Sequence, residues 1–251
     1  MCNLCPSNDD SLHMNNEHQS SRRSLLKLMG SSPLWLGGMA ASAGMVSSAM
    51  AQKPENAITP VSALKRLMDG NDRYVNNKPR NIDFSVTRKA LTTGQNPYAC
   101  ILSCADSRVS PEFCFDEERG DLFVNRLAGN YVNADMIANI EYGVAVLNAR
   151  IVMVLGHTDC GAIKASISAA TKGTQYPGHI QSITTALSPA VQEGQKQKGD
   201  LLDAVTRANI KNGVASLRTT TPLIKKLYDD QKIMIVGGLY NLDTGRVEIL
   251  T

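Results

Sequence analysis

Two short stretches of this chain gather side chains that bind metals. Ser103-Cys104-Ala105-Asp106-Ser107-Arg108 sets a thiol, a carboxylate and a guanidinium close together. Leu155-Gly156-His157-Thr158-Asp159-Cys160-Gly161 adds an imidazole and a second thiol. Two thiolates and one imidazole make a borderline-soft set that suits Zn²⁺, and three protein ligands leave a fourth position for water, as catalytic zinc sites do. Asp106, two residues beyond the first thiol, can bind at that open position or accept a hydrogen bond from water held there. Arg108 can hold Asp106 ionised and oriented through a bidentate pair. Beyond residue 51 the only other thiols and imidazole are Cys100, Cys114 and His179, so a metal site must lean on cysteine. Each signal alone is weak, since a cysteine at a strand end is more often a small buried hydrophobe. Their placement on matched elements is what strengthens them.

Those elements follow from the apolar pattern. Tyr98 to Ser103 reads as a buried strand that ends at Cys104, and Ile151 to Leu155 as a second that ends just before His157. If the two are neighbours, Cys104, His157 and Cys160 meet at the carboxyl edge of one sheet, where open α/β folds place their ligands. Between and around them the pattern predicts a strand at Leu122–Asn125, a helix over Ala134–Leu147, a helix from Ala162 and helical sequence through residues 180–228. Lys232–Leu239 reads as a buried strand, and Arg246–Leu250 as an edge strand after a turn. Upstream, a helix spans Ile58–Val75 with a break or bend expected at Asp69-Gly70-Asn71, and a short helix covers Val86–Leu91. Strands separated by helices pair in parallel. The fold class is therefore α/β: a mostly parallel β-sheet with one antiparallel edge strand, flanked by helices and preceded by a helical arm.

The chain has 251 residues, a formal net charge of +3 and only 5% aromatic residues, with no basic block, so nothing points to nucleic acid. Its first fifty residues read as an address. Arg22-Arg23, followed by Ser24-Leu25-Leu26-Lys27, has the form of a twin-arginine export signal. A Gly-, Ala- and Ser-rich apolar stretch then ends at Ala49-Met50-Ala51, suited to cleavage before Gln52. The expectation is a signal peptide over residues 1–51, recognised by the twin-arginine export machinery, and a single catalytic domain over 52–251 in the periplasm. A retained membrane anchor is the alternative.

Cys104-Ala-Asp-Ser-Arg108 and Gly156-His-Thr-Asp-Cys-Gly161 together resemble the β-class carbonic anhydrases. So do Phe123-Val-Asn-Arg-Leu-Ala-Gly-Asn130, Ile140-Glu-Tyr-Gly143 and the closing Tyr240-Asn-Leu-Asp-Thr-Gly245. The resemblance spans about residues 58–250. It implies Cys104, His157 and Cys160 as ligands of Zn²⁺, and Asp106 with Arg108 as the catalytic pair. The reaction implied is the reversible hydration of carbon dioxide to bicarbonate by a zinc-bound hydroxide. By resemblance, Gln95, Phe123, Ala128, Gly129 and Tyr142 form the substrate pocket, and a homodimer or homotetramer shares the site between subunits. Where a bicarbonate-regulated subclass has tryptophan three residues before the first ligand, this chain has Ile101, which implies an open site without that switch. Other readings are a zinc hydrolase of another linear molecule such as carbon disulfide, and a non-catalytic zinc or redox protein.

Overall fold

A computed structural model describes residues 58–250. The expected export signal and its expected cleavage point lie outside the described residues. Five strands form one sheet in the order β2-β1-β3-β4-β5. β1 (Ala99–Ser103), β2 (Leu122–Arg126), β3 (Ile151–His157) and β4 (Met234–Tyr240) run parallel, and β5 (Val247–Ile249) pairs antiparallel with β4 at one edge. β1 and β3 are buried along their whole length, as central strands covered on both faces must be, which explains their unbroken apolar runs.

Alternate residues feed two different cores. Ala99, Ile101, Ile151, Met153 and Leu155 pack on one face with Ala63 and Leu67 of α1 (Pro60–Val75), and with Phe115 just after α3 (Pro111–Cys114). Cys100, Leu102, Val152 and Val154 pack on the other with Ile140 of α4 (Ala134–Glu141), Ile210 and Val214 of α7 (Leu201–Thr219), and Ile224 of α8 (Leu223–Asp229). Cys100 and Cys114 therefore sit in cores on opposite faces, both as free thiols. A third apolar cluster, at the carboxyl edge, joins Cys104 and Cys160 to α7 and to two further helices, α5 (Gly161–Lys172) and α6 (Ile180–Gly194).

α1 starts where its sequence says it should. The Thr59 hydroxyl accepts from the Ser62 amide at 3.1 Å, and Pro60 occupies the first turn, where its missing N–H costs nothing. The break expected at Asp69-Gly70-Asn71 is absent, and α1 runs through it. Gly70 is there because the helix touches the α3 turn: a Cβ would stand 1.8 Å from the Phe115 carbonyl oxygen. Asn71, buried, donates to the carbonyls of Cys114 and Gly245 at 2.9 and 2.8 Å and accepts from the Val247 amide at 2.8 Å. What looked like a breaker is a docking point. Arg66 and Arg73 add ion pairs to the buried carboxylates of Glu117 and Asp116, at 2.6 and 2.5 Å.

Two shorter elements also differ from expectation. The short helix is α2 (Phe84–Ala90), followed by a 3₁₀ turn at Leu91–Thr93. The helix expected through Leu147 changes to one π turn over Tyr142–Val146, a feature that gathers at functional sites. Among the described residues no helix is long and apolar enough to cross a membrane.

Candidate metal centre

β1 and β3 are neighbours, with Ser103 opposite Leu155. The residues that follow each strand thus emerge at one edge. Cys104, His157 and Cys160 offer ligand atoms that all lie within 4.8 Å of one another, and all three residues are buried. Their two sulfurs are 3.9 Å apart. Sulfurs bonded to one tetrahedral zinc at about 2.3 Å would stand about 3.8 Å apart, so the spacing fits.

The imidazole is set for the same task. His157 Nδ1 lies 2.8 Å from the Thr158 carbonyl oxygen, which can only accept, so Nδ1 carries the proton and Nε2 presents a lone pair. Nε2 is buried and has no hydrogen-bond partner. Leaving such an atom unpaired costs about 1–3 kcal/mol, a cost that a metal ion would remove. Thr158 is itself fixed, its amide donating to the Tyr240 carbonyl and its hydroxyl accepting from the Leu242 amide, both at 3.0 Å. The turn after β4 thus holds the end of β3 in place.

The two thiols are shifted in opposite directions. Hydrogen bonds from Cys160 and from the Gly129 amide hold the Cys104 thiol well below its ordinary range, against desolvation. The hydrogen bond with Cys104, burial and that nearby negative charge push Cys160 the other way. A divalent cation is what would stabilise both as thiolates. Cys160 also caps α5, where the positive end of the helix dipole favours a thiolate.

Beside the ligands, Arg108 grips Asp106 with a fork. Its Nε donates to Oδ1 at 3.0 Å, Nη2 to Oδ2 at 2.8 Å, and the Arg108 amide adds a bond to Oδ1 at 2.9 Å. This guanidinium holds the Asp106 carboxyl well below the usual carboxylate range. Oδ2 lies 3.9 Å from His157 Nε2, so the ionised oxygen borders the donor cluster. Arg108 also faces the Asp159 carboxylate at 3.7 Å, and Lys164 pairs with that same carboxylate.

The five residues expected to form the substrate pocket divide into two groups. Ala128 and Gly129 follow β2 next to the ligands, and the Gly129 amide donates to Cys104 Sγ at 3.3 Å. Gly129 has φ +83°, and a Cβ there would stand 2.8 Å from Leu187 Cδ1, so glycine is required twice over. Phe123 and Tyr142 pack on each other, ring centroids 5.9 Å apart, on the outer strand β2 and the π turn. Phe123 is level with Cys100, four residues or about 13 Å of strand before Cys104. Gln95 precedes β1, at the end opposite Cys104. Within one chain these three stand away from the ligands.

One residue of the site was not singled out from sequence. Arg126, at the end of β2, donates to the carbonyls of Cys104, Asp106 and Val109 at 3.0, 2.6 and 2.9 Å. It holds the whole loop that carries Cys104, Asp106 and Arg108. Its place at a strand end level with Ser103 was the available signal.

Comparison with known proteins agrees with this geometry. The carbonic anhydrase family model matches residues 99–247. Carbonic anhydrase 2 of Mycobacterium tuberculosis is 37% identical over 188 residues, covering 74% of this chain and 91% of that protein. The carbonic anhydrase of Mycolicibacterium smegmatis is 37% identical over 191 residues, covering 76% and 93%. Among solved structures, the β-carbonic anhydrase CcaA superposes with a TM-score of 0.59 at 26% identity, covering 75% of this chain and 95% of that one. With its thiol–imidazole–thiol cluster at the carboxyl edge of a parallel sheet, the chain belongs to the carbonic anhydrase family, in its β class.

Proposed function

We propose that this chain hydrates carbon dioxide reversibly in a site shared by two copies, and that its precursor leaves the cytosol by the twin-arginine route. The observation that carries the catalytic reading is His157 Nε2, buried and unpartnered, beside two thiols and 3.9 Å from an arginine-held carboxylate. Zinc held by Cys104, His157 and Cys160 would act as a Lewis acid that makes water a nucleophile near neutral pH, an effect for which carbonic anhydrase is itself the usual illustration. The remaining work falls to the protein. Asp106, ionised and so only an acceptor, takes a hydrogen bond from the attacking water and turns its lone pair toward the carbon of CO₂. Arg108 engages both carboxylate oxygens and so fixes Asp106 beside the ligand cluster, its charge committed to the guanidinium. That pairing, with Ile101 at the buried centre of β1, supports an open site without a bicarbonate switch.

Substrate binding needs groups that one chain does not bring to the cluster. A second copy would supply Gln95 as a hydrogen-bond donor to a CO₂ oxygen, and Phe123 with Tyr142 as an apolar wall. Two observations support this. The aromatic pair lies at the sheet edge formed by β2, and Tyr142 and Val146 on the π turn are 49% and 62% exposed. The fold is also that of tetrameric β-carbonic anhydrases from Sordaria macrospora, at a TM-score of 0.58 and 22% identity. His179 is exposed at the start of α6, and the released proton passes to buffer. Arg22-Arg23 and Ala49-Met50-Ala51 support export to the periplasm and cleavage there.

Subunit complementation tests the shared site. Gln95→Ala and Asp106→Asn each impair every site in their own homodimer. In a mixed dimer one site carries both changes and the other carries neither. Co-expression should restore up to about a quarter of wild-type CO₂ hydration, given random pairing into two-fold dimers. Activity no higher than the mean of the two variants would show that each chain holds a whole site.

A further inference from the structure

Asn209 lies in the middle of α7, eighty residues beyond Gly129, and is 5% exposed. Its helix neighbours Val205, Ile210 and Val214 are core residues, so an amide at this position must be hydrogen-bonded or it destabilises the fold. Its Nδ2 donates to the carbonyl oxygen of Gly129 at 2.8 Å. The amide of that same glycine donates to the sulfur of Cys104 at 3.3 Å. Gly129 is thus held from both sides, its carbonyl on α7 and its N–H on a metal ligand. Its φ of +83° is the conformation that lets the two groups face these different partners.

We propose that Asn209 is a positioning residue of the metal centre: by anchoring the Gly129 carbonyl it aims the Gly129 N–H at the Cys104 sulfur and so sets the electron donation of that ligand. The inference rests on the reading of Cys104, His157 and Cys160 as the zinc site. Two thiolates donate more charge to a metal than the three neutral imidazoles of other zinc hydratases. A hydrogen bond to one sulfur draws part of that charge back and leaves the metal a better Lewis acid. Partners of this outer kind change metal affinity by about 10–100-fold when removed. Packing alone would need no amide at this position. An apolar residue of the same volume would fill the same buried space.

The test uses the full mature protein loaded with cobalt or ¹¹³Cd, and the variants Asn209→Asp and Asn209→Ala. Asn209→Asp keeps the shape and sets an acceptor against the Gly129 carbonyl. Val214→Ala, on the same helix but away from Gly129, controls for loosened packing. In the cadmium-loaded wild type, a through-hydrogen-bond coupling should link the metal to the Gly129 amide proton. Both Asn209 variants should lose it, bind cobalt at least about tenfold more weakly in chelator competition, and shift the thiolate-to-cobalt charge-transfer band to longer wavelength. Val214→Ala should keep the band and the coupling. Folded Asn209 variants with unchanged coupling, band and affinity would overturn the proposal. So would variants that fail to fold while Val214→Ala folds, because Asn209 would then serve the fold and not the metal. A wild type that does not take up one metal ion per chain would instead overturn the zinc reading beneath it.

Discussion

At the scale of single residues, the chemistry divides between groups that must be charged and groups that must not. Asp106 belongs to the first kind, held ionised by Arg108. Asp106→Asn keeps its size but replaces one accepting oxygen with a donor. Stopped-flow CO₂ hydration should fall by about 10²-fold or more, with zinc content unchanged. Less than a tenfold loss at full zinc would remove Asp106 from the mechanism. Cys100 belongs to the second kind, since burial pushes its thiol up to about 12 from 9.0. Between those two values the native state holds a proton that the unfolded chain has lost, so rising pH destabilises the fold. Stability should therefore decline from about pH 9 toward pH 12, and Cys100→Ala should flatten that decline while lowering Tm at neutral pH. Parallel Tm-versus-pH curves for the two proteins would contradict this. The Cys104, His157 and Cys160 cluster, with Asp106 and Arg108 beside it, was legible in the sequence because these residues lie at or just beyond the ends of two strands whose apolar runs are unmistakable. Arg126 was not, because it acts on backbone carbonyls, which carry no sequence signal.

At the scale of elements, the sheet could be read almost strand by strand, since parallel central strands leave continuous apolar runs. The helices were less transparent. Asp69-Gly70-Asn71 has the composition of a turn, yet α1 continues because Gly70 and Asn71 answer to Phe115, Cys114, Gly245 and Val247, distant in sequence. Two effects of opposite sign compete in Gly70→Ala. Alanine gains about 1 kcal/mol in helix propensity, while overpacking typically costs about 1–3 kcal/mol or more. With the new Cβ 1.8 Å from a backbone oxygen, the clash should win and the urea midpoint should fall. A raised midpoint would mean that α1 moves aside easily. The π turn at Tyr142 was equally hidden, since it depends on Gly143 approaching Cys100 Sγ and Phe123 closely.

At the scale of the whole molecule, two questions concern where the chain goes and how many copies it needs. Replacing Arg22 and Arg23 with lysines should leave the precursor in the cytosol, and fractionation of cells expressing both forms would show it. Equal amounts of both in the periplasm would rule out the twin-arginine route. The position of Gln95, Phe123 and Tyr142 relative to the ligand cluster was beyond sequence reading, because in the proposed assembly it depends on contacts between chains and not within one. In the proposed two-fold assembly, β1 carries Gln95 ahead of its first residue and Cys104 just past its last. The strand then acts as a ruler between two catalytic centres, serving its own at one tip and the partner's at the other. Inserting or deleting a single residue in Ala99–Ser103 would put both centres out of alignment together, so evolution can lengthen the loops around this strand far more freely than the strand itself.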